Sequence, residues 1–281
     1  MSIRKWIVVA SLALAGLSVG PASTGATGSP SPGTSSDAMS SAPDGSGGMF
    51  VACSVWRGSR YSELYLQHVD VAWTDVRNGA AVYVQRIGVT GATLWTPGGV
   101  PLASWVDWNS SPQIVSDGGG GAIVAWHDGR ANGDIYAQRI TGAGSAQWAS
   151  GGVAVCSTPE RQSQPALIAD GAGGVILAWT DARTGYGDIY AQRLVAGAGA
   201  DPAWPADGRL ICAAAGQQDN PRLVGDGAGG AIIAWRDYRA GTSSDVYAQH
   251  VTASGVVDPA WPVDGVAMTT STIATPANRF I

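Results

Sequence analysis

Short apolar runs of four to seven residues, bounded by polar and glycine-rich turns, follow one another along most of the chain. One well-defined group consists of Gln113–Ser116, Ala122–Trp126, Asp134–Ile140 and Val153–Cys156. Runs this short that are rich in Ile, Val, Tyr and Trp are typical of β-strands. The pattern therefore predicts an all-β protein.

The group of four runs recurs in three full copies, which begin at Pro112, Pro165 and Pro221 and are spaced 53 and 56 residues apart. Each copy carries Asp-Gly-x-Gly-Gly, Ala-Trp-x-Asp-x-Arg and Asp-(Ile/Val)-Tyr-Ala-Gln in the same order, followed by a second Trp. A fixed period of this length is the signature of a repeat architecture. We assign the full copies to residues 112–164, 165–220 and 221–275.

Two degenerate copies, at residues 44–69 and 70–111, precede the full copies, and residues 276–281 resemble the opening of a further one. The first degenerate copy runs at His68 directly into the second, so that about half a repeat is missing at the join or has diverged beyond recognition. Four strands in about 50 residues match one blade of a β-propeller, whose faces are buried only against neighbouring blades.

We therefore predict a β-propeller of about four to five four-stranded blades, with a complete or an incomplete ring. A row of small sandwiches is the alternative. It is less favoured, because a single copy has too few apolar residues for a core of its own.

The N-terminal region has the pattern of an export signal followed by a linker. Arg4 and Lys5 precede an apolar stretch and then small residues, so residues 1–26 are predicted to be a secretory signal peptide. Residues 27–43 are rich in Ser, Gly and Pro, which predicts a disordered linker before the repeat domain at residues 44–281. We expect a secreted or periplasmic protein with no membrane span after signal removal.

Composition narrows the classes of partner. The 281 residues include 40 Gly and only 13% charged residues, and the formal net charge is −5. Such a chain is a poor helix former and is not attracted to nucleic acid or anionic lipid. Cys156 and Cys212 fall at equivalent places in successive copies, farther apart than a disulfide allows, so both are predicted to be free and buried.

Each full copy places an Asp-x-Arg motif in the loop after its second strand. The residues concerned are Asp128, Arg130, Asp181, Arg183, Asp237 and Arg239. An Arg beside a carboxylate can bond it bidentately and hold the loop. Alternatively, the loops form a ring of alternating charge that binds a polar ligand or a cation. We favour the structural role, because groups that perform chemistry normally break repeat symmetry, and we predict no catalytic residue, metal site or cofactor.

Symmetry between copies also assigns the turns and one variable position. Asp-Gly-x-Gly-Gly is predicted to be a tight hairpin turn rather than a calcium site, because it offers one carboxylate per turn. His127 occupies the place that Thr180 and Arg236 hold in the other copies. A position that varies in this way is predicted to be exposed.

Tryptophans and an acidic residue supply the remaining candidates. The Trp of each Ala-Trp pair ends an alternating strand and is predicted to pack between blades. Trp204 and its equivalents Trp148 and Trp261 lie near Gly or Pro, where they pack or stack on sugar rings. Glu160, with Arg161, lies between two blades, on the face of the Asp-x-Arg loops, where it contributes to a pocket or faces solvent.

The combined phrase Asp-Gly-x-Gly-Gly, Ala-Trp-x-Asp-x-Arg and Asp-Ile-Tyr-Ala-Gln-Arg resembles a repeat of exported bacterial proteins of the β-propeller type. The resemblance extends from about Asp44 to Thr275 and implies the architecture without an activity. Sialidase-like propellers are the nearest enzyme class. Their repeat, Ser-x-Asp-x-Gly-x-x-Trp, is absent, because Ser116 adjoins Asp117 and Trp126 lies too far on.

These features favour an exported, non-enzymatic binding or scaffold protein, with an extracellular protein or a glycan as its partner. A sialidase-like or other glycan-active hydrolase is one alternative. A truncated remnant of a longer propeller protein is another, and an open ring would then expose strand edges and apolar faces that favour self-association.

Overall fold

The computed structural model describes residues 39–43, 49–54, 69–75, 81–88, 92–104, 112–129, 133–197, 199–241 and 243–269. These residues form eighteen β-strands in four sheets, which confirms the all-β prediction. The predicted signal peptide, most of the predicted linker and the stub at residues 276–281 lie outside the described residues. Within the described ranges, we find no helix with the length and apolarity needed to cross a membrane.

The first sheet combines strands from both degenerate copies. In sheet order it contains β1 (Met39–Pro43), β2 (Met49–Ser54), β3 (Val69–Asp75), β4 (Ala81–Ile87) and β5 (Val100–Ser104). All pairings are antiparallel except that of β2 with β3, which is parallel from Met49↔Val69 to Ser54↔Thr74. Strand β2 thus lies where the second degenerate copy lacks a first strand of its own.

The predicted linker is corrected at its C-terminal end. Residues Met39–Pro43, which composition placed in the disordered linker, form an edge strand paired with β2. A strand ladder uses backbone groups, so a small and polar segment can supply it, and Pro43 is tolerated because the strand lies at an edge. Disorder of residues 27–38 stays a prediction.

Each full copy builds one antiparallel sheet. The second sheet contains β6 (Gln113–Ser116), β7 (Ala122–Asp128), β8 (Asp134–Ile140) and β9 (Val153–Cys156). The third contains β10 (Gln162–Ala169), β11 (Val175–Asp181), β12 (Asp188–Val195), β13 (Gly199–Ala200) and β14 (Arg209–Cys212). The fourth contains β15 (Gln218–Gly225), β16 (Ala231–Asp237), β17 (Asp245–Val251) and β18 (Val266–Thr269). The four runs predicted for the first full copy coincide with β6 to β9, except that β7 continues through Asp128.

The Asp-Gly-x-Gly-Gly segments are hairpin turns, as predicted. In the third sheet, Asp170 Oδ1 accepts hydrogen bonds from the backbone N–H of Ala172 at 2.7 Å and of Gly174 at 2.8 Å. Gly171 and Gly173 have φ of 77° and 85°, a conformation that strongly favours glycine. The carboxylate therefore organises the turn itself.

The four sheets stack face to face in sequence order, with one apolar cluster between each neighbouring pair. Trp126, Trp179 and Trp235 lie in successive clusters with exposures of 0%, 0% and 2%, which confirms their packing role. We call the face of a sheet that meets the preceding sheet its rear face, and the opposite face its forward face. Strands β7 and β11 are buried at every position, so both faces of their sheets are covered, unlike those of separate sandwiches. No closed ring is detected among the described residues.

Candidate functional site

The Asp-x-Arg motif of the third sheet forms a fully bonded ion pair at the end of β11. Arg183 Nε donates to Asp181 Oδ1 at 2.9 Å, and its Nη2 donates to Oδ2 at 2.6 Å. Nη2 also donates to Asp207 O at 2.8 Å, and the guanidinium lies 3.8 Å from the centre of the Tyr190 ring. Trp179 Nε1 donates to Asp181 Oδ2 at 2.9 Å. The motif therefore fastens the loop to the strands beside it.

The fourth sheet repeats this arrangement. Arg239 bonds both oxygens of Asp237, at 2.9 and 2.7 Å, donates to Asp264 O at 2.7 Å and lies 3.7 Å from the centre of the Tyr247 ring. Burial alone would raise the pKa of the Asp237 carboxyl. The hydrogen bonds from Arg239 and Trp235 outweigh burial and hold this pKa below its ordinary value.

Burial of the carboxylates argues against the alternative, in which these motifs form a ligand-binding ring of alternating charge. Asp128, Asp181 and Asp237 are 0%, 0% and 1% exposed, so none of them can meet a ligand from solvent. A buried carboxylate is stable only with close partners, and Trp or Arg donors supply them here. Arg183 and Arg239 point their donors inward at these carboxylates, and Arg130 lies outside the described residues.

Trp204 is buried, which agrees with packing, the role favoured over stacking on a sugar ring. It is 4% exposed and its Nε1 donates to Ala253 O in the fourth sheet at 3.2 Å. Glu160 is exposed, in the loop that was expected to adjoin the Asp-x-Arg loop. Ala182 N donates to Arg161 O at 2.9 Å, so the two loops are neighbours, as expected. Of the predicted candidates outside the motif, Glu160 and Arg161 are exposed, whereas Trp148 and Trp261 are half-buried.

Cys156 and Cys212 are free and buried, as predicted. Burial raises the pKa of Cys156 to about 11 and that of Cys212 to about 12. Since the thiolate is the nucleophile, neither thiol is activated for chemistry at neutral pH. Among the described residues there is also no group of three His, Cys, Asp or Glu side chains placed to hold a metal ion.

The Gln-Arg pair at the end of the third strand has a structural role that the sequence did not assign. Gln192 Nε2 donates to Pro205 O at 2.8 Å, and its Oε1 accepts from Arg193 N at 2.9 Å. Arg193 Nε and Nη2 donate to Asp170 Oδ2 at 3.0 and 2.8 Å, so the Arg completes the hairpin turn of its own sheet. In the sequence, the signal for this role was that both the Gln-Arg pair and the Asp of the turn recur in the copies.

Exposed polar groups collect where the first strands of the third and fourth sheets are interrupted by β-bulges. The register of β10 against β11, and of β15 against β16, shifts at these places. Gln164 and Asn220 lie within the shifts with φ of 56° and 57°, a left-handed conformation that is uncommon outside glycine. Each precedes a proline, and this recurrent x-Pro step was the only sequence signal.

The two bulges contact each other across the sheets. Gln164 Oε1 accepts from Thr180 Oγ1 at 3.0 Å and from Asn220 N at 2.9 Å. Next to them, Arg236 bonds both oxygens of Asp219, with Nε–Oδ1 and Nη2–Oδ2 distances of 2.7 Å. We call these five residues the bulge cluster.

The bulge cluster is polar and electrically balanced, and three of its five residues are exposed. The Arg236 side chain is 45% exposed, and the hydrogen bond from its guanidinium to Asp219 holds the pKa of Arg236 above its ordinary value. Gln164 and Asn220 are exposed, and Arg236 lies 5.4 Å from the centre of the Tyr238 ring. Amide and guanidinium donors beside an aromatic ring suit a neutral, hydroxyl-bearing ligand.

The expected exposure at the position of His127 is wrong for two of the three copies. His127 and Thr180 are 3% and 7% exposed, because the next sheet covers the forward faces of their sheets. Arg236, on the forward face of the fourth sheet, is exposed. Exposure at this position therefore depends on whether another sheet covers the forward face, and a single sequence does not reveal that.

The fourth sheet replaces the recurrent Arg of the third strand with His250. Its Nε2 lies 2.9 Å from Asp226 Oδ2 and its Nδ1 lies 2.8 Å from Asp258 Oδ2. The hydrogen bonds to Asp226 and Asp258 raise the pKa of His250, and those from His250 lower the pKa of both carboxyls. Protonated His250 thus bridges two carboxylates of its own sheet.

This bridge predicts a pH-dependent stability. Since the pKa of His250 is higher in the folded than in the unfolded chain, its contribution is complete below the unfolded value of about 6.5 and is lost as the pH rises through the folded value. We expect the Tm of the protein to fall as the pH rises from 6 to 8.5, and to fall by more than the Tm of the His250→Arg variant. That variant has the Arg that the third sheet carries at the equivalent position, Arg193, and its side chain stays charged over this pH range. Equal pH profiles of the two proteins in thermal unfolding would contradict the bridge.

No family model and no curated protein matches the chain. Among solved structures, an endo-arabinase from Bacteroides thetaiotaomicron VPI-5482 is 15% identical with a TM-score of 0.39, over 72% of this chain and 82% of that one. A protein designated TolB from Agrobacterium tumefaciens is 15% identical with a TM-score of 0.35, over 64% of this chain and 56% of that one. The TM-scores of both structures are low, so the fold class of this protein is assigned from its own geometry. It is an all-β protein of four- and five-stranded sheets that are stacked in sequence order and are antiparallel except for the pair of β2 with β3.

Proposed function

We propose that the protein is an exported, non-enzymatic binding or scaffold protein whose stacked sheets are the blades of a propeller. The observation that carries this proposal is the use of the repeated charged groups inside the protein. Asp181 and Arg183 bond each other, and Asp237 and Arg239 do the same in the next sheet. A catalytic acid, base or nucleophile must instead present a proton or a lone pair to its substrate.

We assign ligand binding to the bulge cluster. It departs from exact repetition, because Gln164 and Thr180 in the third sheet correspond to Asn220 and Arg236 in the fourth. Left-handed non-glycine residues cost of order 1 kcal/mol each and tend to persist where they place a functional group. The Arg236–Asp219 pair cancels its own charge, so a neutral glycan fits this surface better than an ionic ligand.

Binding without hydrolysis is the expected result. We expect the protein to be retarded in native gels that contain a soluble polysaccharide, while releasing no reducing sugar from the polysaccharides that bind. Asn220→Ala and Arg236→Ala should each weaken retention about tenfold, which corresponds to about 1.4 kcal/mol of binding free energy. Arg222→Ala is the matched control. Arg222 is exposed on β15, the strand that also carries Asn220, and its side chain donates only to Pro221 O.

Two results would contradict this proposal. Release of reducing sugar that Glu160→Gln abolishes would mean that the protein is a hydrolase. A folded protein that no polysaccharide of a broad panel retards would exclude a glycan as the ligand of the bulge cluster.

A further inference from the structure

The forward faces of the second and third sheets are built from equivalent aliphatic side chains, and both are covered. In the second sheet these are Ile123, Ile135 and Val155, with exposures of 0%, 0% and 3%. In the third sheet they are Ile176, Ile189 and Ile211, also with exposures of 0%, 0% and 3%. Each set lies in the apolar cluster shared with the following sheet, so the forward face is an interface that the chain uses repeatedly.

The fourth sheet has an equivalent forward face, but no described sheet follows it. Val246, which corresponds to Ile135 and Ile189, is 41% exposed. Met268, which corresponds to Val155 and Ile211, is 59% exposed. The aliphatic character of the face is thus kept where no described sheet follows, and an exposed apolar patch of this kind marks an interaction surface.

The opposite end of the stack presents the complementary surface. Rear faces carry an aliphatic residue at the end of the third strand, and at Ile140, Leu194 and Val251 it is 0% exposed. The equivalent residue of the first sheet, Ile87, is only half-buried. The described chain therefore has exposed apolar residues on the forward face at one end and a half-buried aliphatic residue on the rear face at the other.

A recurrent hydrogen bond across the interfaces points to the same partner. Trp95, Trp148 and Trp204 each donate Nε1–H to a backbone carbonyl of the next sheet, at 3.0, 3.2 and 3.2 Å. Trp261 is their equivalent in the fourth sheet, and its Nε1 has no acceptor in the part of the chain that the structure describes. Another sheet of the same type would supply that carbonyl.

We propose that two copies of this chain assemble head to tail, with the forward face of the fourth sheet of each copy packed on the rear face of the first sheet of the other. A head-to-tail contact closes when the rotation between copies completes a circle. Four sheets from each copy give a ring of eight, within the usual range of four to eight blades. Arg236 of the bulge cluster lies on the same forward face, so this assembly and a bound glycan would compete for that residue.

The assembly is tested by the solution mass of the full chain and its variants, measured by size-exclusion chromatography with light scattering. We expect the wild type to have twice the mass of one chain. Val246→Asp and Ile87→Asp should each be monomeric, because each blocks one of the two faces. An equal mixture of the two variants should regain dimers, since one intact forward face and one intact rear face remain.

Val263→Asp is the matched control and should stay dimeric. Val263 is 88% exposed in the connection between β17 and β18, and its equivalent Ala206 is exposed even where the next sheet packs. Circular dichroism checks that each variant is folded, and Met268→Asp replaces Val246→Asp if the latter is unfolded.

Three results would overturn the head-to-tail dimer. A wild-type monomer at all concentrations would leave residues 270–281 of the same chain, or a different protein, as the occupant of the forward face. A dimeric Ile87→Asp with a monomeric Val246→Asp would mean that two forward faces pack together. Failure of the mixed variants to associate would exclude the pairing of a forward with a rear face.

Discussion

Replacing Asp181 with alanine is expected to lower the free energy of unfolding by about 3–5 kcal/mol, the usual cost of breaking a buried ion pair from one side. The carboxylate is 0% exposed and accepts from Arg183 and from Trp179 Nε1. It also lies 3.8 Å from Cys156 Sγ in the second sheet. Its loss leaves a guanidinium and an indole N–H without their acceptor at the contact between two sheets.

Thermal and denaturant unfolding measure this effect. In a domain of this size each kcal/mol shifts the Tm by about 2–4 °C, so we expect a fall of about 10 °C. Glu160→Gln, which alters an exposed carboxylate in the adjacent loop, should change the free energy of unfolding by less than about 0.5 kcal/mol. The double variant Asp181→Leu with Arg183→Met should recover much of the loss, because apolar residues often replace a buried pair at little cost.

A fall of less than about 1 kcal/mol in Asp181→Ala would contradict this role. So would a double variant that is less stable than the single one, since the loss would then come from packing rather than from an unpaired charge. Either result would reopen the Asp-x-Arg loops as sites for a ligand.

Local pattern was sufficient to predict the repeated sheets. Alternating apolar residues and the Asp-Gly turns locate β6 to β9 to within two residues, because short-range backbone preferences and burial determine these elements together. The bidentate bond between Arg183 and Asp181 also follows from the motif, because the two residues are two positions apart at the end of a strand.

Long-range pairing in the first sheet was not predictable in the same way. The parallel pairing of β2 with β3 joins two degenerate copies, and no turn or spacing in the sequence announces it. A backbone ladder depends little on side-chain type, which is also why the strand at Met39–Pro43 was missed.

The bulge cluster was missed for a different reason. Gln164 and Asn220 differ in type, and a left-handed conformation outside glycine leaves only the x-Pro step in the sequence. The exposure of Arg236, compared with the burial of Thr180, depends on whether another sheet covers the face. Sequence symmetry identifies equivalent positions, whereas exposure depends on the neighbours that the fold supplies.

The second large effect is expected at the last glycine of the hairpin turn in the third sheet. A Cβ built on Gly174 meets the backbone carbonyl oxygen of Leu194 and lies 2.7 Å from Asp170 Oδ2, distances that real Cβ atoms do not show. Backbone must therefore shift, and the shift displaces the carboxylate that accepts from Gly174 N and from Arg193. We expect Gly174→Ala to lower the free energy of unfolding by about 3 kcal/mol, at the upper end of the usual cost of overpacking.

Gly197→Ala provides the matched control, because a Cβ at Gly197 meets nothing within 4 Å and its φ is not left-handed. It should leave the free energy of unfolding within about 0.5 kcal/mol of the wild type, since it changes an exposed position without a clash. Urea unfolding of both variants makes the comparison, and equal midpoints would contradict the close approach at Gly174.

Because Arg193 Nη1 also lies 3.4 Å from Ala253 O in the fourth sheet, loss of this turn should also weaken the contact between the two sheets. Hydrogen exchange of the β16 amides should therefore accelerate in Gly174→Ala and stay unchanged in Gly197→Ala.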